Sequence, residues 1–125
     1  MNGIKYLLDT NALISFLQGN PKLIELTSRT SLGIFIISVL EFLSFTGIKE
    51  PDKKLFLDFI SKIDVTELAS DNLQLLDIIT DIRANFKVKL PDAIIAGTAI
   101  YKNAVLITND KDFAKIYTLK IRDFN

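Results

Sequence analysis

Residues 5–14, KYLLDTNALI, begin as a buried strand and then change to a helical pattern. Tyr6, Leu7 and Leu8 are consecutive apolar residues, which is typical of a strand covered on both faces in a parallel sheet. Asp9 follows directly, and an unpaired carboxylate is costly to bury at the end of an apolar strand. A fold that places a polar site at the end of this strand would explain the acid.

The overall composition limits the chemistry that such a site can use. The chain has 125 residues, 49% of them hydrophobic, which suits a single domain over residues 1–125 with its own core. It contains no cysteine and no histidine, so thiolate nucleophiles, His-ligated zinc and the usual serine hydrolase triad are excluded. Its 15 basic and 15 acidic residues give zero net charge, so a nucleic acid would have to be bound by local groups of cations.

The spacing of apolar and helix-breaking residues predicts alternating strands and helices. The expected strands cover residues 4–8, 33–37, 63–67, 104–108 and 119–121. The expected helices cover residues 11–18, 21–30, 39–48, 52–61, 71–86 and 91–102, with one further helical turn at 112–116. Strands separated by helices favour a three-layer α/β/α domain with a mostly parallel sheet of about five strands. In such a sheet, ligands bind beyond the carboxyl ends of the strands.

Residues 32–48 are apolar enough to raise the question of a membrane segment. They contain one ionisable residue, Glu41, near the middle, where a charge is costly in a bilayer. The stretch is better divided into a strand and a helix capped by Ser38. Asp9 interrupts the apolar run that a signal peptide would need. The sequence therefore predicts a cytoplasmic protein with no membrane segment.

Four carboxylates are predicted to lie at strand ends or helix starts. Asp9 ends the first strand and Asp110 follows the fourth. Glu41 is placed in the first turn of the helix after the second strand, and Asp92 in the first turn of the helix after residues 87–90. A doubly wound topology brings these ends together, and a divalent cation relieves their mutual repulsion. Oxygen ligands alone suit Mg²⁺ or Mn²⁺, which assist phosphodiester hydrolysis.

Each of these acids except Asp9 also has an ordinary structural interpretation. Ser38 and Glu41 have the spacing of a capping box. Asp92 follows a proline at a helix start, where the helix dipole favours an acid. Asp110 fits simple turn chemistry. Asp112 is expected to cap the short helical turn, and it is an alternative candidate for a metal ligand.

Polar residues beside the acids are candidates for orienting them. Thr10, Asn11, Thr108 and Asn109 are each adjacent to, or within two residues of, a predicted carboxylate and can hydrogen-bond to it. Thr10 or Asn11 serves equally well as the N-cap of the first helix, so the two interpretations stay open.

Three blocks of the sequence resemble the PIN-domain family, and within it the VapC-type toxins of toxin–antitoxin pairs. In order they are YLLDTNALISFLQGN, ISVLEFLSF and KLPDAIIAGTAIYKNAVLITNDKDF. The resemblance implies an α/β/α fold and a Mg²⁺- or Mn²⁺-dependent endoribonuclease. It places the family's four acids on Asp9, Glu41, Asp92 and Asp110, with Thr10, Asn11 and Thr108 as their polar neighbours. Asn109 departs from the pattern, because many relatives carry Arg there.

The resemblance also implies partners. They are an RNA substrate (tRNA, rRNA or mRNA), a cognate antitoxin and a second copy in a homodimer. Lys87, Lys89 and Lys111 are candidates for steering the RNA backbone, although solvated surface lysines look the same in sequence. Two adjacent predicted helices carry several large apolar side chains, namely Phe42, Phe45, Leu55, Phe56 and Phe59. Most of them are expected to lie in the core, and the rest to form a groove for an antitoxin segment.

Two other classes of function stay open. A Mg²⁺-dependent aspartyl-phosphate domain, of phosphatase or receiver type, also places acids at strand ends. Phosphatases of that type have a second Asp two residues after the nucleophile, where this chain has Asn11, and the expected lysine is missing from LITND at 106–110. The other class is a non-catalytic PIN-like binding module, which the acids at all four positions argue against.

Overall fold

The structure, a computed structural model, describes residues 6–28 and 31–125. Its strands are β1 (Tyr6–Leu8), β2 (Leu32–Phe35), β3 (Asp64–Thr66), β4 (Val105–Ile107) and β5 (Ile121–Arg122). Its helices are α1 (Thr10–Leu17), α2 (Pro21–Thr27), α3 (Ile36–Leu43), α4 (Glu50–Ile60), α5 (Leu73–Asn85) and α6 (Leu90–Tyr101). A short 3₁₀ helix covers Lys111–Lys115. The strands form one sheet in the order β3-β2-β1-β4-β5, and each neighbouring pair is parallel.

Strand β1 is the middle strand of this sheet. Tyr6 lies opposite Leu32 of β2 on one side and Val105 of β4 on the other. Leu7 and Leu8 are both completely buried, one towards each face of the sheet. A central parallel strand is covered on both faces, which explains its unbroken apolar sequence. The predicted strand is confirmed from residue 6 onward, while residues 4 and 5 lie outside the described residues.

Helices cover both faces of the sheet and create two hydrophobic clusters. Leu7 packs in one cluster with Ile79 of α5 and Ile95 of α6. Leu8 packs in the other with residues of α1 to α4, including Phe56. The predicted three-layer α/β/α arrangement with a parallel five-stranded sheet is therefore confirmed.

Helices α5 and α6 approach each other closely at Gly97. A Cβ atom added at Gly97 would lie 2.7 Å from Ile79 Cγ1, which is too close for real atoms. The small residues of α6 allow this close approach, and Ala93, Ala96 and Ala99 are buried in the same helix. This packing holds the amino-terminal end of α6, which carries Asp92, against the domain.

The end of β2 and the start of α3 differ from the prediction. Helix α3 begins at Ile36, directly after the strand, so Ser38 lies inside the helix and is not its cap. Glu41 is the sixth residue of α3, in its second turn and not its first, and no capping box forms there. The apolar residues 33–37 include no capping side chain and no helix-breaking residue at the boundary. The point at which the strand ends and the helix begins could therefore not be predicted from the local sequence.

Other boundaries shift by a few residues. Helix α3 ends at Leu43, not near residue 48, and Gly47 adopts a left-handed φ of 84° in the following loop. Helix α2 ends at Thr27, and residues 29 and 30 of the predicted helix lie outside the described residues. The last strand is Ile121–Arg122 and not 119–121. Within the described parts of the chain, every helix is too short or too polar to cross a membrane.

Candidate active site

A cleft of about 600 Å³ opens at the carboxyl edge of the sheet. All four predicted acids, Asp9, Glu41, Asp92 and Asp110, line it. Asp9 follows β1 and Asp110 follows β4, and these strands are parallel neighbours, so both acids emerge at the same edge. Helices α3 and α6 bring Glu41 and Asp92 to the same cleft. Side chains more than 100 residues apart in sequence thus face one space.

Asp9 is the most deeply placed of the four acids and is only 3% exposed. Its Oδ1 accepts a hydrogen bond of 2.8 Å from the backbone N–H of Ala12, and its backbone is extended. These are the properties of an N-cap, so Asp9 caps α1. Of the two interpretations left open for Thr10 and Asn11, the N-cap is wrong, because both residues lie inside the helix.

The pKa of Asp9 is raised above its ordinary value. Burial is the largest cause, because a carboxylate loses hydration when it leaves water. Hydrogen bonds from the Thr108 hydroxyl and the Ala12 backbone oppose the shift, and the negative charges of Asp110 and Asp92 add to it. Asp9 is therefore held in place by donors while neighbouring acids disfavour its charge.

The pKa of Asp92, the third residue of α6, is also raised. Burial contributes most, followed by the charge of Asp110, while the cation of Lys89 opposes the shift. Asp112 and Glu41 raise it further. Asp92 is half-buried, and three acids from two other parts of the chain act on it electrostatically.

Asp110 caps the short 3₁₀ helix at the end of β4. Its Oδ1 accepts a hydrogen bond of 2.9 Å from the backbone N–H of Asp112. Its own backbone N–H donates to Thr108 Oγ1 at 3.0 Å. The predicted cap, Asp112, is the wrong residue, because the chain enters the turn at Asp110. The Asp112 carboxylate instead forms an ion pair of 3.6 Å with Lys115.

Three of the acids are close enough to share one cation. Carboxylate oxygens of Asp92, Asp110 and Asp112 lie within 4.8 Å of one another. Opposite ligands of a bound Mg²⁺ are about 4 Å apart, so small side-chain rotations bring these oxygens around one ion. Hard oxygen donors fit Mg²⁺ or Mn²⁺, and Asp9 and Glu41 face the same cleft.

Glu41 is oriented from the neighbouring helix α1. The Thr10 hydroxyl donates a hydrogen bond to Glu41 Oε1. Thr10 Oγ1 also lies 3.1 Å from the hydroxyl oxygen of the buried Ser38. Asn11, which follows Thr10, is exposed and lines the cleft.

Asn109 makes its hydrogen bonds to the end of the chain. Its Oδ1 accepts from the backbone N–H of Phe124 at 2.8 Å, and its Nδ2 donates to Asn125 Oδ1 at 3.0 Å. Asn109 thus fastens residues 124 and 125 beside the loop that leads to Asp110. The prediction that its side chain orients a carboxylate differs from these contacts, and no local pattern in the sequence points to its partners.

The cleft also has an apolar wall, which was not predicted from the sequence. Ile37, Leu40 and Phe45 line it from α3 and the following loop, and Leu40 is 54% exposed. Ile37, Leu40, Glu41 and Ser44 have helical spacing and share one face. The predicted helix began at residue 39, so it left Ile37 out of this face.

A second, more apolar groove lies between α1, α3 and α4. Phe42 stacks on the buried Phe56 with ring centroids 4.0 Å apart, so these two of the predicted apolar side chains belong to the core. Phe45 and Leu55 remain 52% and 69% exposed and line this groove. Phe45 borders both the groove and the acidic cleft.

The fold and the cleft together define a class: a parallel α/β/α domain with clustered carboxylates at the carboxyl edge of its sheet. Residues 6–119 match the family model of the PIN domain. The chain belongs to the PIN domain family.

Solved structures with the same fold include chains of toxin–antitoxin complexes. One is the toxin–antitoxin complex from Klebsiella pneumoniae, with a TM-score of 0.78, 24% identity, and coverage of 97% of this chain and 98% of that one. Another is DNA-bound VapBC from Salmonella typhimurium, with a TM-score of 0.78, 24% identity and coverage of 98% and 99%. VapBC-1 from nontypeable Haemophilus influenzae has a TM-score of 0.77, 24% identity and coverage of 97% and 98%. The curated protein sequences contain no match.

Proposed function

We propose that this protein is a Mg²⁺- or Mn²⁺-dependent endoribonuclease and the toxin of a type II toxin–antitoxin pair. The observation that carries the proposal is that the four acids singled out by sequence line one cleft. In this fold such a cleft lies where ligands of parallel sheets bind.

Asp9, Asp92 and Asp110 would hold the cation, with Glu41 as a direct or water-mediated ligand and Asp112 as an alternative. When bound, the metal would polarise the phosphodiester and lower the pKa of an attacking water. The spacing of the Asp92, Asp110 and Asp112 oxygens, within 4.8 Å, supports this assignment.

The chain's own residues prepare the site for a cation. The Thr108 hydroxyl and the Ala12 N–H fix the Asp9 carboxylate, and the Thr10 hydroxyl fixes Glu41. The raised pKa of Asp9 and of Asp92 reflects charge that is poorly compensated by the protein alone. A divalent cation would compensate this negative charge, which supports a metal site.

The proposed partners follow from the similar complexes. Chains of VapBC and of another toxin–antitoxin complex share this fold. We propose a cognate antitoxin that docks as a helix or strand in the apolar groove bordered by Phe45 and Leu55. We also propose a homodimer, a cytoplasmic location and a tRNA, rRNA or mRNA target.

The test is cleavage of cellular RNA by the purified protein. Cleavage is expected with Mg²⁺ or Mn²⁺, loss of it in EDTA, and a drop of at least about a hundredfold in Asp9→Asn. Asp77→Asn, which removes an exposed acid on α5, is the matched control and should cleave normally. Undiminished cleavage in EDTA would refute the metal role.

The aspartyl-phosphate alternative has less support. Its phosphatase form needs a second Asp two residues after the nucleophile, where Asn11 stands, and the lysine that it expects is missing from LITND at 106–110. A stable phosphoryl adduct on Asp9 after treatment with acetyl phosphate would favour it over the nuclease.

A further inference from the structure

Two segments distant in sequence meet beside the acidic cleft. They are residues 83–89, at the end of α5 and in the loop to α6, and residues 111–117, in and after the 3₁₀ helix. Lys115 Nζ donates a hydrogen bond of 3.3 Å to the backbone carbonyl of Lys87. The rings of Phe86 and Tyr117 meet edge to face, with centroids 5.5 Å apart and planes at 72°. We call the surface formed by Phe86, Lys87, Lys89 and Tyr117 the aromatic–basic surface.

This part of the molecule concentrates positive charge in a chain whose net charge is zero. The two segments contain five cationic residues and one acidic residue, Asp112. Asp112 is paired with Lys115 at 3.6 Å, while Lys87 and Lys89 are exposed. A shallow cleft of about 540 Å³ lies here, bordered by Arg83, Lys87 and Lys89. Such a concave cationic surface is complementary to a polyanion.

Tyr117 gives the surface an unusual feature. Its side chain is large and apolar in its ring, yet it is 84% exposed. The contact with Phe86 holds one part of the ring, and the rest faces solvent. An exposed aromatic ring beside cations is the arrangement on which proteins stack unpaired bases while binding the adjacent phosphates.

The surface lies close to the acidic cleft. Lys89 is the N-cap residue of α6, three positions before Asp92, and its charge acts on the Asp92 carboxylate. On the other segment, Asp112 belongs to the carboxylate group with Asp92 and Asp110. A nucleotide strand whose phosphate lies at the acids is therefore within reach of the aromatic–basic surface.

We infer that the aromatic–basic surface binds an unpaired stretch of RNA, with Tyr117 stacking on a base and Lys87 and Lys89 contacting the neighbouring phosphates. The inference rests on the proposed nuclease function for its choice of RNA. A duplex would bind less well, because its bases are already stacked and paired and offer no free face to Tyr117. The site thus selects single-stranded regions of the target.

The test is the affinity of the full chain for a short labelled single-stranded RNA, measured by fluorescence anisotropy in EDTA. Tyr117→Ala is expected to raise the Kd about tenfold, and Tyr117→Phe to leave it near the wild-type value, because a phenyl ring still stacks. Lys87→Gln is expected to reduce the slope of log Kd against log salt by about one. A duplex of the same sequence should bind more weakly and respond little to Tyr117→Ala.

Matched controls separate a local role from a general loss of charge or aromatic surface. Tyr101→Ala removes an exposed tyrosine at the other end of α6, about 14 Å from Asp92 along the helix. Lys53→Gln removes an exposed lysine on α4. Both are expected to bind RNA like the wild type. Equal Kd values for Tyr117→Ala and Tyr101→Ala would overturn the inference.

Other outcomes identify a different occupant or a different failure. If Tyr117→Ala separates a dimer in sedimentation experiments and leaves RNA affinity unchanged, the surface is a subunit interface and the inference is wrong. Tyr117-dependent binding without any cleavage would refute the nuclease while supporting the surface. Cleavage and binding that are both indifferent to Tyr117 would support the nuclease and refute the surface.

Discussion

The hydroxyl of Thr108 joins the two acids that end β1 and β4. It acts as a donor that lowers the pKa of the Asp9 carboxylate, and it accepts a hydrogen bond of 3.0 Å from the backbone N–H of Asp110. Thr108 is 3% exposed, so water does not readily replace it. One side chain therefore sets the position of Asp9 relative to the loop that carries Asp110.

Replacing this hydroxyl by a methyl group tests its role. Thr108→Val keeps the shape but leaves the Asp110 N–H without its acceptor and removes a donor from Asp9. We expect a loss of about 1–3 kcal/mol in the free energy of unfolding, measured in urea, together with weaker Mn²⁺ binding. Thr108→Ser retains the hydroxyl and is the control. Equal Mn²⁺ affinities in Thr108→Val and Thr108→Ser would argue against a positioning role.

Neutralising Asp9 is expected to stabilise the metal-free protein. The pKa of Asp9 is raised in the folded state, so the folded protein binds its proton more tightly than the unfolded chain does. Protonation of Asp9 therefore stabilises the folded state. This contribution is fully present below pH 3.8, the ordinary pKa of the group, and is lost as the pH rises through the pKa of the folded state. Asp9→Asn keeps an acceptor for the Ala12 N–H and carries no charge to desolvate.

The measurement for Asp9→Asn is urea unfolding in EDTA at a series of pH values. The variant is expected to be more stable than the wild type near neutral pH, and the difference should shrink as pH falls towards about 4. Asp77→Asn, on the exposed face of α5, should show no such dependence. A variant less stable than the wild type at every pH would contradict the assigned burial penalty.

Bound metal is expected to stabilise the wild type more than a variant that lacks one of the proposed ligands. Because a ligand that binds only the folded state stabilises it by mass action, Mn²⁺ should raise the Tm of the wild type in a concentration-dependent way. Asp110→Asn removes one carboxylate from the group that lies within 4.8 Å and should lose most of this rise. Its Oδ1 still caps the 3₁₀ helix, so the fold is kept. The same Tm rise in both proteins would place the cation elsewhere.

The contact between Gly97 and Ile79 predicts a strong effect of a single added methyl group. A Cβ at residue 97 would lie 2.7 Å from Ile79 Cγ1, so Gly97→Ala is expected to destabilise the protein by about 1–3 kcal/mol through overpacking. Ile79→Ala removes Cγ1, and the double variant should be less destabilised than the sum of the two single variants. Strict additivity in thermal unfolding would show that the helices can separate without strain.

Much of the local structure was predictable from residue patterns. The unbroken apolar run of β1 predicted a buried strand in a parallel sheet, and the structure confirms it. The capping residues were less predictable. Asp9 caps α1, where Thr10 or Asn11 was an open alternative, and Asp110 caps the 3₁₀ helix, where Asp112 was expected. Neighbouring polar residues have similar capping chemistry, so the backbone conformation decides between them.

The start of α3 shows a second kind of limit. Residues 33–37 fit a strand and a helix equally well by hydrophobicity, and Ser38 offered a plausible cap. In the fold, Ser38 is buried where its hydroxyl meets Thr10, so a contact with α1 accounts for its polarity. A partner 28 residues away leaves no mark in the local sequence.

The sequence by itself determined the α/β class and the acids available at strand ends, because alternation of apolar and polar residues is a local property of the chain. Only the tertiary structure decided that carboxylate oxygens of Asp92, Asp110 and Asp112 lie within 4.8 Å of one another and that Tyr117 lies against Phe86. Distances between such residues depend on strand order and on how α5 and α6 pack, which involve contacts between parts of the chain far apart in sequence.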